Sequence, residues 1–326
     1  MKNSSRMLLV GVWANRNWIL GNWLREVTLR SQGSFQLWWV LSVFAQKKWA
    51  ERLLFFPLPR RDSYFFSYIT IFESYIKKNP KKYGSKSIVL FTHAESEIGT
   101  IQRQVEILNK AFAIYFFCSQ DADRLVMHGL EIEKVRLAFC AVDDDCIKNP
   151  RFIRREKTVV LASKFGWRKG LSVLPEVVAL MPEWNFIALG RGWEGFIQET
   201  RLDLQNNFSY FEFNKSTRNK HFCEARIFLS LSSLEGGPVP LIEAVTAGAI
   251  PVATKTGFAP DLIQDKIDGV LIDINPSAQQ VVDALISADK LSNDFSGHLV
   301  HNLTWDRITR MMLTDQIMIQ NLRMAD

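Results

Sequence analysis

Residues 230–254 read SLSSLEGGPVPLIEAVTAGAIPVAT, and their order decides the fold class. Just before and into this stretch, Arg226 to Leu231 (RIFLSL) is a short apolar run of strand type; serines and the loop Glu235-Gly236-Gly237-Pro238 follow. A helix starts near Val239 or Pro240, because proline is tolerated in a first turn whose N–H groups lack helical partners. It runs to Ala247 and stops at Gly248, since glycine adopts the left-handed cap without a Cβ penalty. Ile250 to Ala253 is again a strand. Strand, loop, helix, turn and strand make a βαβ unit, and such units build parallel sheets covered by helices.

The loop has chemistry of its own. Small residues leave its backbone amides accessible, and the start of a helix favours anions through unpaired N–H groups and the helix dipole. In open parallel sheets, ligands gather at the carboxyl ends of strands, where this loop sits. Glu235 lies in the loop and Glu243 in the helix. Helical side chains tilt toward the N-terminus, so Glu243 reaches back toward the same place. A carboxylate accepts two hydrogen bonds and so suits a pair of sugar hydroxyls.

Outward from this stretch, strand-like and helix-like segments alternate in both halves of the chain. In the first half, strands are expected at Met7 to Trp13, Ser87 to Thr92 and Ala113 to Ser119, with Phe35 to Phe44 a further apolar run. Helices are expected at Gly21 to Arg30, Ser63 to Lys77 and Thr100 to Lys110. Residues 146–157 (CIKNPRFIRREK) are polar, basic and interrupted by proline, as suits a linker. The second half restarts at Thr158 to Ala162 and continues with a helix at Leu171 to Leu180 and strands at Asn185 to Leu189 and Phe208 to Phe213. A helix near Arg218 to Glu224 precedes the stretch quoted above. Strand Gly269 to Ile272, helix Gln279 to Ala288 and a long amphipathic helix from Trp305 to Leu322 complete the chain.

Composition excludes several function classes. The chain has 326 residues, 47% of them hydrophobic and 23% charged, which fits two globular domains and no disordered tract. Its four cysteines show no CxxC spacing, which argues against a zinc site and a disulfide framework and for a reducing cytoplasm. No apolar run reaches the roughly 18 residues a bilayer span needs, and Met1 to Val12 reads as a first strand and not a signal peptide. The net charge of +6 suits anionic partners. Basic residues (Lys47, Lys48, Arg52, Arg60, Arg61, then Lys77 to Lys86) interleave with Trp38, Trp39, Trp49, Phe55 and Phe56. That pattern suits attachment to an anionic membrane surface or a solvated charged face. No nucleic-acid recognition module is present.

The quoted stretch resembles the signature of the family-4 retaining glycosyltransferases of the GT-B fold. That signature is Glu, seven residues, then Glu, in the setting S-x-x-E-G-x-G-x-P-x-x-E-A-x-A-x-G-x-P-V-x-A. Ser232, Glu235, Gly236, Pro240, Glu243, Ala244, Ala247, Gly248, Pro251, Val252 and Ala253 match it. The resemblance implies that Glu235 holds the hydroxyls of a donor sugar, Glu243 the ribose, and amides near Gly237 and Val239 the rest of the donor. Pro238 stands where the family usually has a second glycine, and it brings no N–H. Upstream, Ser163 to Gly170 (SKFGWRKG) resembles the stretch whose basic residues grip the donor diphosphate, here Lys164 and Lys169. His93, at the end of the strand SIVLFT, resembles the histidine beside the transferred sugar. The loop Ala14 to Asn22, with Asn15 and Gly21, takes the place of the family's glycine-rich first loop, as an acceptor or phosphate loop. Val142-Asp143 resembles the element that closes the first domain, and Trp305-Asp306 the start of the last helix.

The resemblance implies two Rossmann-like β/α/β domains facing each other across a cleft: residues 1–148 for the acceptor and 149–308 for the nucleotide sugar. Residues 309–326 would be a helix crossing back to the first domain. It implies a hexosyltransferase whose catalytic set is His93, Lys169 and Glu235, acting on a nucleotide-diphosphate sugar and a glycan or lipid-linked acceptor. No cofactor is expected beyond the donor, and no metal, the run Asp143-Asp144-Asp145 being read as a solvated turn. Surface polysaccharide or lipopolysaccharide synthesis in a bacterial cytoplasm, at the inner face of the membrane, is the implied setting. Two other readings stay open: a GT-B-like binding or regulatory partner without activity, and a different Rossmann-type enzyme such as an epimerase. The second lacks its GxGxxG after the first strand.

Overall fold

The structure is a computed structural model that describes residues 6–13, 16–17, 19–40, 57–92, 99–142, 156–292 and 303–325. Two compact units divide the chain: Met1–Phe139 with Trp305–Asp326, and Cys140–Thr304.

In the first unit, strands β1 (Met7–Val12), β2 (Phe35–Val40), β3 (Ser63–Phe66), β4 (Ser87–Phe91), β5 (Ala113–Phe116) and β6 (Val135–Leu137) form one sheet in the order β2-β1-β3-β4-β5-β6. Every pairing is parallel. Helices α1 (Ile19–Arg30), α2 (Ile69–Lys78), α3 (Pro80–Tyr83), α4 (Ile101–Leu108) and α5 (Ser119–Val126) connect the strands. Strands β1, β3, β4 and β5 are buried along their whole length, which is why they read as unbroken apolar runs and not as alternating ones.

One element differs from expectation. Ser63 to Lys77 reads as a single helix with an aromatic stripe, but Ser63–Phe66 is a central strand and the helix begins at Ile69. Four buried residues in a row, SYFF, carry no period that separates a strand from a helix. Their packing decides it: Phe66 meets Phe72, Tyr75 and Tyr83, all on the helices that follow, with ring centroids 5.5, 5.7 and 6.3 Å away.

The C-terminal helix, Trp305–Ala325, belongs to this first unit. Ile308, Met312 and Ile319 are buried on one of its faces. Its polar anchor is Asp315, which accepts from the Tyr115 hydroxyl at 2.7 Å and pairs with Arg136 Nε at 3.3 Å. The helix is thus tied to β5 and β6 through Asp315, and it packs against α1 and β3.

In the second unit, β7 (Thr158–Lys164), β8 (Asn185–Arg191), β9 (Phe208–Glu212), β10 (Ile227–Ser230), β11 (Ile250–Thr254) and β12 (Val270–Ile272) lie in the order β12-β11-β10-β7-β8-β9. Helices α6 (Leu174–Leu180), α7 (Glu194–Thr200), α8 (Lys215–Glu224), α9 (Val239–Thr246), α10 (Ala259–Leu262) and α11 (Ala278–Asp289) join them. The pairings are again all parallel, so every strand ends at the same edge. Two halves of three strands are wound outward from β7 and β10, which lie side by side with Val159 opposite Ile227. The chain order reverses between these two strands. The loops leaving their carboxyl ends therefore diverge, one to each face, and open the crevice in which such sheets bind ligands.

Candidate functional site

The two loops at this switch point carry most of the residues singled out in the sequence. The loop after β7 runs from Phe165 to Gly170, and the loop after β10 from Leu231 to Pro238. They are tied together: Ser233 N–H donates to Arg168 O at 2.7 Å. Gly170 makes this approach possible. Its φ is +61°, and a Cβ there would stand 2.0 Å from Leu231 O, so no other residue fits both the backbone conformation and the space.

Within this pair of loops Lys169 Nζ forms an ion pair with Glu235 Oε1, and the Ser232 hydroxyl donates to the same oxygen at 2.8 Å. The carboxylate is half-buried, and Ser232 is buried beneath it. A third loop, after β11, holds the glutamate from the other side. Glu235 N–H donates to Thr256 Oγ1 at 3.2 Å, and Phe258 N–H donates to Gly236 O at 3.0 Å. Gly257, with φ of +58°, lies so close that a Cβ would meet Glu235 O and Gly236 O at 2.7 Å. The Thr254 hydroxyl donates to Ser232 O. The Glu-Gly-Gly loop is therefore fixed by contacts from the loops after β7 and β11, and a fixed polar group needs little reorganisation to act on a bound molecule. On the same loop, Gly237 O lies 3.9 Å from the buried Cys140 thiol, whose pKa burial pushes up to about 12.

Glu243 takes a different partner. It is buried in α9 and forms an ion pair with Arg218 of α8, itself buried. Asn219 Oδ1 accepts from Arg218 Nε at 3.1 Å and Nη2 at 3.0 Å. The structure thus gives the two glutamates of the signature separate cations.

The remaining expected residues are placed as follows. Lys164 is the last residue of β7, exposed, and opposite Arg191 in register. Gly236 is buried, Gly237 and Pro238 are half-buried, and Val239 opens α9 with Pro238 as its cap. Here the helix start offers fewer amides to an anion than the sequence argument assumes. Pro240 has no N–H, and Leu241 N–H already donates to Pro238 O at 2.9 Å. Lys169 brings a full positive charge to this edge. Gly21 is not in a loop: α1 begins at Ile19, and Gly21 is buried in its first turn. A Cβ there would meet Arg16 O at 2.2 Å, so this glycine lets the preceding turn pack on the helix. His93, Asn15 and Asp143-Asp144-Asp145 lie outside the described residues. Among the described residues, no group of three or more His, Cys, Asp or Glu side chains is gathered as a metal site.

Sequence reasoning missed Arg218, Thr256 and Gly257. The polar segment KSTRNKH carries no period that marks a buried face, and only the fold reveals that Arg218 and His221 are buried.

Residues 143–296, which carry both loops, match the family Glycosyl transferases group 1. That match covers just under half of the chain. With the two parallel six-stranded sheets, the fold is that of the GT-B glycosyltransferases. The chain is similar to one component of the human phosphatidylinositol N-acetylglucosaminyltransferase, 28% identical over 158 residues, or 45% of this chain and 32% of the relative. It therefore spans about a third of that relative's length. Among solved structures it is similar to the lipopolysaccharide outer core galactosyltransferase WaaB, with a TM-score of 0.71 and 12% identity over 95% of this chain and 98% of that one. It is also similar to Anabaena HepE in complex with UDP-glucose, with a TM-score of 0.66 and 14% identity over 99% of this chain and 100% of that one. At these identities the structures establish the fold. No helix among the described residues is long and apolar enough to cross a membrane.

Proposed function

We propose that the chain is a retaining glycosyltransferase that moves a sugar from a nucleotide diphosphate to a glycan or lipid-linked acceptor. The observation that carries this reading is the Lys169–Glu235–Ser232 cluster at the switch point of the segment that matches the group 1 family. An ammonium and a carboxylate side by side offer complementary contacts to a nucleotide sugar. The diphosphate takes the positive charge of Lys169, with Lys164 at the same edge, and the sugar hydroxyls donate to Glu235. Glu243 serves the ribose.

Breaking the anomeric C–O bond leaves negative charge on the departing phosphate. A fixed ammonium there stabilises that charge more in the transition state than in the ground state. The leaving phosphate oxygen then accepts the acceptor's proton on the face it has just left, which retains the anomeric configuration. With lysine charge supplied by the protein, the reaction is proposed to need no metal. His93 is proposed to lie beside the transferred sugar.

For the acceptor, the human relative is named for transfer to phosphatidylinositol and WaaB for lipopolysaccharide. Both names support a lipid-linked or envelope glycan. Basic residues with interleaved aromatics in the first unit support a peripheral position at the cytoplasmic face of a membrane. The complex of HepE with UDP-glucose supports a uridine diphosphate sugar as the first donor to try.

The test is a donor screen with EDTA present. UDP-glucose, UDP-galactose, UDP-N-acetylglucosamine and GDP-mannose are each incubated with the protein, and free nucleotide and the anomeric form of the product are followed by NMR. Release from one donor with retained configuration is the expected result. An inverted product would overturn the retaining reading. No release from any donor by the folded protein, with or without acceptor extracts, would overturn the activity.

A further inference from the structure

Buried carboxylates are costly unless they are paired, and a charged residue in a helix is far more often exposed. Glu243 is 5% exposed and Arg218 is 6% exposed, and they are bonded to each other. The arginine has been brought to the glutamate by construction. Asn214 caps α8, accepting from Thr217 N–H at 2.8 Å. Phe222, one turn beyond Arg218, is buried edge-on against Phe228 of β10 at 5.6 Å between ring centroids. The base of α8 is thus seated on the strand that feeds the Glu235 loop. Asn219 Oδ1, accepting from two guanidinium nitrogens, limits how that guanidinium can turn.

A guanidinium stays charged at any pH a folded protein meets, and its planar fork holds a carboxylate at a set angle. Lysine, a point charge on a flexible stem, does not. We propose that Arg218 is a positioning residue: it keeps Glu243 ionised and oriented for the vicinal hydroxyls of the donor's ribose, and so sets the preference for a ribonucleotide. The inference rests on the donor-site reading above, in which Glu243 serves the ribose. It adds a residue on a separate helix that touches no substrate.

The experiment measures two affinities for each protein. UDP, GDP and ADP, and the 2′,3′-dideoxy form of each, are titrated by calorimetry against the wild type, Arg218→Lys and Arg218→Met, with melting curves for all three proteins. In the wild type the ribonucleotide that binds is favoured over its dideoxy form by about tenfold or more, the worth of one charge-assisted hydrogen bond. Both variants bring that ratio down to within about threefold, because only the hydroxyl contact is lost. The dideoxy affinity itself changes by less than about twofold.

A merely structural role for Arg218 would weaken both forms in parallel and leave the ratio intact, and that result overturns the proposal. So does an unchanged ratio with unchanged affinities, or a wild type with no preference for ribose. Where Arg218→Met fails to fold because it strands a buried charge, Arg218→Lys keeps the charge and decides the question. Failure of all three nucleotides to bind the wild type overturns the donor-site reading, and this inference with it, before any variant is compared.

Discussion

Lys169 and Glu235 stand 66 residues apart in the chain and are joined by an ion pair, with the Ser232 hydroxyl on the same carboxylate oxygen. The sequence distance is spanned by half of a doubly wound sheet. Lys169 follows the first strand of the unit, Glu235 the fourth, and parallel pairing of those two strands brings both loops to one edge. Both side chains keep partial access to solvent, at 22% and 14%. The pair is thus partly buried, at the edge of a parallel sheet where ligands gather.

Lys169→Ala should cost more in activity than in stability. Removing a fixed cation from the leaving diphosphate is expected to lower kcat/KM for the donor about 100- to 1,000-fold, the range for one transition-state contact. The melting temperature should fall little by comparison. A loss of stability that matches the loss of activity would assign the pair to folding.

Two glycines of the second unit should respond in opposite ways to alanine. Gly170 has φ of +61° and meets Leu231 O, whereas Gly195, within α7, has nothing within 4 Å of a Cβ. Gly170→Ala is expected to destabilise by at least about 1–2 kcal/mol from the left-handed backbone alone. Gly195→Ala is expected to stabilise by up to about 1 kcal/mol, because alanine has the better helix propensity. Denaturant titration of the two variants checks both signs.

Tyr115→Phe isolates the anchor of the C-terminal helix. Tyr115 is buried, its hydroxyl donates to Asp315, and burial together with that carboxylate holds its pKa well above the usual phenol range. The variant leaves a buried carboxylate short of one donor, at a cost of about 1–3 kcal/mol. The melting temperature should fall, while Lys169 and Glu235 lie in the other unit and keep their arrangement. Limited proteolysis should then cut first within the C-terminal helix.

His221 predicts a pH dependence of stability. It is 7% exposed, stacked on Phe211 at 4.8 Å, and burial lowers its pKa from 6.5, against the opposing pull of Glu224 and with Lys220 reinforcing the shift. Because the folded value is the lower one, the unfolded chain takes up the proton first as pH falls. The stability held above the unfolded pKa is therefore lost as pH drops through the folded one. Urea midpoints from about pH 8 down to pH 5 should decline, and His221→Gln should flatten the decline.

Much of the fold is legible in the sequence because local rules and the tertiary structure agree there. The βαβ reading of residues 226–254 matches β10, α9 and β11 closely, since helix start, glycine stop and strand runs each have a local cause. Ser63–Phe66 misleads because a doubly covered strand has no period, and its neighbours in space decide what it is. The local reading starts a helix at Gly21, whereas the resemblance gives it to a first loop; it lies in the first turn of α1 and packs closely on Arg16, which no local pattern announces. Arg218 escapes notice for a related reason. Among the charges of KSTRNKH, Arg218 differs from the solvated ones only by the helix that lies across it.

Binding of a nucleotide sugar through its diphosphate at the Lys169–Glu235 edge of the second sheet is measured by calorimetric titration. UDP, GDP and ADP are titrated into the wild type and into Lys169→Ala. One nucleotide is expected to bind the wild type and to lose about tenfold or more of its affinity in the variant, as a diphosphate deprived of its cation must. Binding of none of the three, or equal binding to both proteins, would contradict binding through the diphosphate at this edge.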